Sequence, residues 1–244
     1  MKIARLVFAG LTLAGLVACD RSEAPAQKIE RVAEQAISGS ESESLPQQAR
    51  GPFAPRDECG ELPGGQVFLG ELRTAIARRD AEALVALTAD DVKLDFGGGA
   101  GHALLRERLT DEEYRLWDEL AEVVPLGCAP GGQARMTMPW YFEQDTGIDA
   151  TEALIVTAEE VPLLAAPQAD GEVLARLSWD AVAFDYGREP APNGFTAVDW
   201  NDPQADDPVE GFVETNKLRS LLDYRVVALR RNDRWRIVSI IAGD

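Results

Sequence analysis

Three cysteines and one histidine are the side chains of this sequence best suited to covalent or metal chemistry: Cys19, Cys59, Cys128 and His102. Cys59 or Cys128 beside His102 would make a nucleophile with its base. A disulfide between the two cysteines would remove that pairing. A zinc site needs three or four ligands, and no HExxH-type cluster accompanies His102. The competing reading is a surface or helix-capping histidine. Ser178, Ser220 and Ser239 lack the GxSxG surroundings of an activated serine. The expectation is therefore no catalytic residue, no metal ligand and no cofactor.

Two loops and one aromatic set add binding chemistry. Gly97 to Gly101 lies between an expected strand and an expected helix, where phosphate loops sit. It lacks Gly-Lys-Ser/Thr, and His102 breaks any GxGxxG register, so a structural turn is the stronger reading. Asp199, Asn201, Asp207 and Glu210 fall at positions 1, 3, 9 and 12 of a calcium loop. Pro203 and Gln204 stand at positions 5 and 6, where the backbone must turn on glycine, so a solvated acidic loop is the better reading. Trp179, Phe184, Tyr186, Phe195, Trp200 and Phe212 could line a groove for an extended peptide. Part of such a set must be core. Trp200, Tyr186, Phe195 and Phe212 are the candidate ligand contacts, with Trp200 foremost because it adjoins the acidic loop.

At the amino terminus, Lys2 and Arg5 precede a thirteen-residue apolar run, 6–18. That run has the length of a signal-peptide core and falls short of the roughly 20 residues a spanning helix needs. Leu16-Val17-Ala18-Cys19 resembles the bacterial lipobox. The resemblance implies cleavage before Cys19, acylation of its thiol, and membrane attachment through the lipid. A plain secretory signal with a buried Cys19 is the alternative. Each buried acyl methylene is worth about 0.8 kcal/mol, so two or three chains hold stably. Asp20 resembles the inner-membrane retention signal of enterobacterial lipoproteins, which implies the periplasmic side of that membrane. Cys59 and Cys128 then remain as an even pair in an oxidising compartment. A disulfide between them would stabilise by roughly 4 kcal/mol, and two free buried thiols are the alternative.

The net charge is −18, and removing the basic signal makes the chain more acidic. Such a surface repels phosphate backbones, so no nucleic-acid partner is expected. Residues 20–56 read as a tether, rich in Ser, Glu, Gln, Ala and Pro. Only Ile29, Val32, Ala33 and Ala36 show helical spacing there.

The elements that must position the candidate residues follow. Helices are expected at 66–79 and from Asp80 as cap to Leu87. A strand is expected at 92–96, then a helix at 103–109. Thr110-Asp111-Glu112-Glu113 reads as a capping box opening a helix with Trp117, Leu120, Ala121 and Val124 on one face. Residues 136–142 return to extended structure. Short strands follow at 153–158, 173–177, 181–186, 195–200 and 209–214, which argues for a small barrel. Residues 224–230 and 235–241 form a terminal hairpin over an Asn-Asp turn.

Family likeness enters at Val161-Pro162-Leu163-Leu164, Gly171-Glu172-Val173-Leu174-Ala175-Arg176-Leu177, Phe195-Thr196-Ala197-Val198 and Gly211-Phe212-Val213. This stretch resembles bacterial SH3-like domains. It departs from them in lacking Asn-Val-Arg at the first strand and in carrying phenylalanine where the family has tryptophan. Leu94-Asp95-Phe96-Gly97-Gly98, Leu116-Trp117-Asp118-Glu119-Leu120 and Pro125-Leu126-Gly127 are similar to an uncharacterised domain fused to SH3-like domains in Gram-negative bacteria. The helix–helix–strand opening and the last hairpin resemble nuclear-transport-factor-2-like folds, which implies that the hairpin returns to the first domain. The expected fold class is thus α+β. It comprises a signal peptide at 1–19, a tether at 20–56, a helical domain with some strands at 57–150, an SH3-like barrel at 151–220 and a hairpin at 221–244. The expected function is envelope-anchored binding of a cell-wall (peptidoglycan) peptide or a periplasmic protein through the SH3-like part. An accessory or degenerate cell-wall hydrolase and a structural subunit of an envelope complex are the alternatives.

Overall fold

The computed structural model describes residues 49–132, 134–188, 191 and 194–243. Cys19 with its lipobox, Asp20, the helical spacing at Ile29 to Ala36 and the tether up to 48 lie outside the described residues. So do Pro190, Pro192 and Asn193 of the loop before Phe195.

The expected helical domain with a small barrel is not what the chain builds. Among the described residues the protein is mainly β, with thirteen strands in two sheets and four short α-helices. Helix makes up 25% and strand 34%. The strands are β1 (Arg56–Asp57), β2 (Thr88–Lys93), β3 (Gly127–Pro130), β4 (Arg135–Met138), β5 (Ala153–Val156), β6 (Val161–Leu164) and β7 (Val173–Leu177). They continue with β8 (Ala181–Phe184), β9 (Phe195–Trp200), β10 (Val209–Glu214), β11 (Leu218–Ser220), β12 (Arg225–Arg231) and β13 (Arg234–Ile241). The helices are α1 (Gly65–Arg78), α2 (Ala81–Ala86), α3 (His102–Thr110) and α4 (Leu116–Val123). No helix among the described residues is long and apolar enough to cross a membrane.

The first sheet has six strands in the order β1-β3-β4-β12-β13-β2. The terminal hairpin lies inside it, with β12 antiparallel to β4 and β13 parallel to β2. One face carries the helices. Phe68, Leu69, Leu72, Ala75 and Ile76 recur at helical spacing along α1, and Leu116, Leu120 and Val123 do so along α4. They close on Met136, Met138, Val226, Ala228 and Ile240 to form the largest core. Asp80 starts α2 by accepting the Ala83 amide at 3.0 Å.

The Thr110 capping box does not form. Thr110 ends α3 and donates its hydroxyl to the Glu107 carbonyl at 2.9 Å. The next helix starts at Leu116, after Arg115 turns left-handed at φ 46°. Leu105 and Leu109 anchor the end of α3 in the core, and that packing decides where the helix stops.

The second sheet has seven strands in the order β11-β5-β8-β9-β10-β6-β7. Its edges are β11 and β7, and it spans the stretch expected as a barrel over 151–220. Val156, Val161, Leu163, Leu177, Val182, Val198 and Val213 come from six strands into one cluster, so the sheet curls around its own core. β5 is apolar throughout because both faces are covered. Leu154 and Val156 meet that cluster, while Ala153 and Ile155 turn to another built with Ala129, Trp140, Tyr141, Trp179 and Leu221.

The junction assigned to the tether is packed by residue 49. Ala54 is buried, Phe53 donates its amide to the Trp179 carbonyl at 2.9 Å, and the Arg56 guanidinium lies 4.5 Å from the Trp140 ring centre. β1 pairs parallel with β3, Arg56 opposite Gly127 and Asp57 opposite Cys128. Gly127 holds φ 85°, and a Cβ there would stand 2.2 Å from the Arg56 carbonyl oxygen. Two residues beyond Asp57, Cys59 forms a disulfide with Cys128 of the ladder, with Cα atoms 5.6 Å apart and both sulfurs buried in the main core.

Candidate functional site

The disulfide takes both thiols out of the nucleophile pairing with His102. His102 is the first residue of α3, and its Nε2 lies 3.9 Å from the exposed Asp90 carboxylate. The Gly97 to Gly101 loop is a pinned turn. Gly98 and Gly101 hold φ 99° and 93°, and Asp95 accepts the Gly99 amide at 2.6 Å. That amide, seconded by Arg108, holds the Asp95 carboxyl below its ordinary value. Among the described residues no group of three or more His, Cys, Asp and Glu is placed to hold a metal ion.

The four candidate aromatic contacts do not converge. Register puts Trp200 on the face of β9 shared with buried Val198, and its ring packs half-buried on that core. Phe195 is buried. Phe212 stands opposite Ala197 on the other face, beneath the Arg188 guanidinium at 5.6 Å. Tyr186 alone is freely exposed, at 67%. It meets Phe184 edge-on at 4.6 Å and donates its hydroxyl to the Thr151 carbonyl. The reason is strand alternation: Phe195 and Trp200 are five positions apart on one strand, which sends them to opposite faces.

Two of the acidic residues read as a calcium loop, Asp199 and Glu210, meet a guanidinium instead. Arg188 reaches Asp185 and Glu210 at 2.7 Å each and Asp199 at 3.6 Å. Burial pushes the Asp199 carboxyl up, Asp185 adds to it, and Arg188 opposes both. Arg188→Gln is expected to raise the apparent pKa of Asp199 further, as read by carboxyl-carbon NMR titration, and to cost about 1 kcal/mol of stability. An unchanged titration would mean that Arg188 covers Phe212 without governing the carboxylates.

The group that combines a concavity with convergent charge lies where α4 meets β11. It is a cleft of about 700 Å³ walled by Pro125, Leu126, Leu218 and Tyr224. Its floor is Arg219, 9% exposed, reached by Glu122 at 3.2 Å and Glu119 at 3.4 Å. Asp223 completes the set by accepting the Ser220 amide at 3.1 Å, which fixes it at the turn after β11. Burial raises the pKa of Glu119. Arg219 opposes the rise, while Glu122 and Asp223 add to it. Behind Arg219 lies the Tyr141 phenol, 1% exposed, its ionisation suppressed mainly by burial and eased slightly by Arg219. Three carboxyl groups around one guanidinium leave the cleft negative. Such a surface accepts an ammonium or guanidinium group on an apolar stem.

None of these residues was marked from sequence. The available signal was Arg219 itself, a charge inside Leu218-Arg219-Ser220-Leu221-Leu222. A charge within an apolar run calls for a buried partner. Its partners are about a hundred residues away, Glu119 on α4 and Glu122 beside it, at separations of 100 and 97.

No protein-family model matches the chain, and no curated protein matches it.

Proposed function

We propose that this protein is an envelope lipoprotein, anchored through Cys19, that binds a cell-wall peptide in the cleft between α4 and β11. The observation carrying this reading is the negative, partly apolar cleft built around buried Arg219. A cell-wall peptide presents an amine on an aliphatic side chain, which suits three carboxyl groups beside Leu126 and Leu218. The lipobox-like Leu16-Val17-Ala18-Cys19 supports an anchor, and the Ser- and Glu-rich stretch after it supports reach to a wall target. Asp20 supports residence at the inner membrane. The exposed Phe184–Tyr186 pair is a second, weaker contact for the same ligand.

The test is co-sedimentation of the full-length chain, in detergent, with purified peptidoglycan sacculi at low and moderate salt. The expected result is pelleting that survives moderate salt and falls about five-fold in Glu122→Ala. Glu122 is exposed enough for that change to leave the fold intact. Pelleting lost only in Tyr186→Ala moves the site to the aromatic pair. No pelleting overturns the wall reading. Incorporation of labelled palmitate, lost in Cys19→Ser, tests the anchor separately.

A further inference from the structure

The face of the first sheet turned away from the helices carries a row of directly opposed residues. Ala129 on β3 stands opposite Thr137 on β4, Thr137 opposite Val227 on β12, Val227 opposite Ser239 on β13, and Ser239 opposite Lys93 on β2. The ladder is irregular at this row on both sides. The register shifts between Val227 and Ala228 and again between Ile237 and Ser239. Such irregularities re-aim side chains and are common beside binding sites.

Two hydroxyls in the row are orphaned. Thr137 is fully buried and Ser239 is 8% exposed, and neither hydroxyl has a hydrogen-bond partner among the described residues. A buried hydroxyl without a partner keeps its full desolvation penalty, so its retention calls for an explanation. Ser239 lines a cavity of about 450 Å³ whose apolar surface comes from Val227, Ile241, Ala100 and Phe96. Lys93 stands at the same cavity and makes no ion pair among the described residues.

One wall of the cavity is a fixed turn. Phe96 is a large apolar side chain left 56% exposed. It sits where the Gly97 to Gly101 turn begins. That turn is tied down by the Gly99 amide on Asp95, by the Leu94 amide on the Gly99 carbonyl at 2.9 Å, and by a bridge between Lys93 and Ala100. The Arg225 guanidinium lies 5.6 Å from the Phe96 ring and 4.7 Å from the Phe142 ring. Arg225 thus lies against Phe96, and Lys93 lines the same cavity. Of the two acids at the cavity, Asp95 is engaged by Arg108 and Gly99, which leaves Asp91 at the exposed rim.

We propose that this cavity binds a small amphipathic monocarboxylate. Its carboxylate accepts from the Ser239 hydroxyl and the Lys93 ammonium, and its apolar body lies on Val227 and Ile241 beneath Phe96. The chemistry follows from what is lacking: two neighbouring donors without an acceptor, at the end of an apolar chamber of ligand size. The site shares no residue with the cleft around Arg219, so it stands or falls independently of wall binding.

The test is titration of the full-length chain with phenylacetate, and with uncharged phenylacetamide, followed by amide-resolved NMR. Phenylacetate is expected to saturate one site and to shift the amides of Lys93, Gly97 to Gly99 and Ser239. Phenylacetamide is expected to bind at least about ten-fold more weakly, because a hydrogen bond to a charged group is worth more than a neutral one. Lys93→Met should weaken phenylacetate about ten-fold and Ser239→Ala about five-fold. Both variants are small changes, and a retained amide spectrum reports that they fold. Equal affinity for acid and amide, shifts confined to other residues, or affinity unchanged in both variants overturns the proposal.

Discussion

Loss of the Cys59–Cys128 disulfide is expected to remove about 4 kcal/mol of stability, because the bond closes a loop of 69 residues in the unfolded chain. Domains of this size hold only about 5–15 kcal/mol in total, so the change takes a large share. Cys59→Ala with Cys128→Ala adds the loss of two buried sulfurs from the main core. The measurement is urea unfolding of the oxidised, reduced and doubly substituted chain. The reduced and substituted forms should show a lower midpoint and a steeper slope, since an unconstrained unfolded chain exposes more surface. The first structural casualty should be β1, a two-residue strand with one parallel neighbour, β3. Hydrogen exchange at Glu58, whose amide donates to the Cys128 carbonyl, should accelerate ahead of the helices. An unchanged midpoint on reduction would mean that native packing alone holds the edge of the sheet.

The same edge shows what sequence could and could not disclose. Val173–Leu177, Phe195–Trp200 and Val209–Glu214 were legible as strands because they are short runs separated by Gly, Pro and Asp. The helix Gly65–Arg78 was legible from its apolar spacing, and Asp80 from its position as a cap. β1, β3 and β11 have two, four and three residues, too few to show a period. Gly127-Cys128-Ala129-Pro130 is a poor strand by propensity. It is extended because it lies between β1 and β4, with Cys128 bonded across. With those strands unseen, the helices dominated the first half and the fold class came out too helical. The candidate site failed for a related reason. Aromatic residues were gathered by proximity in sequence, while strand alternation sorts Trp200 and Phe212 to opposite faces. The charged cleft needed α4 and β11 to meet, and nothing local to Glu119 foretells Arg219.

Arg219→Met tests that meeting directly, and its effect should depend on pH. The guanidinium is buried and is the only cation reaching both Glu119 and Glu122 among the described residues. Its removal leaves Glu119 and Glu122 of α4 facing Asp223 and Tyr224 of the following loop, with the Tyr141 phenol behind. Breaking a largely buried pair on one side costs about 3 kcal/mol, because the remaining charge keeps its desolvation penalty. Glu119 already has a folded-state pKa above its ordinary value of 4.5, and loss of Arg219 raises it further. For a carboxyl shifted upward, the native state holds the proton more tightly than the unfolded state. Its contribution to stability is complete below 4.5 and fades as pH rises through the folded value. The variant should therefore lie closest to the parent in mild acid and fall away toward pH 8. Tyr141 stays neutral throughout that window, since burial pushes its ionisation upward. Glu119→Gln on the Arg219→Met background should recover most of the loss at pH 8 and little in mild acid, which makes a double-mutant cycle at two pH values the decisive measurement. A penalty equal at both pH values would mean that Arg219 serves the cleft through the packing of its stem, and the ammonium-binding role of the carboxylates would lose its electrostatic basis.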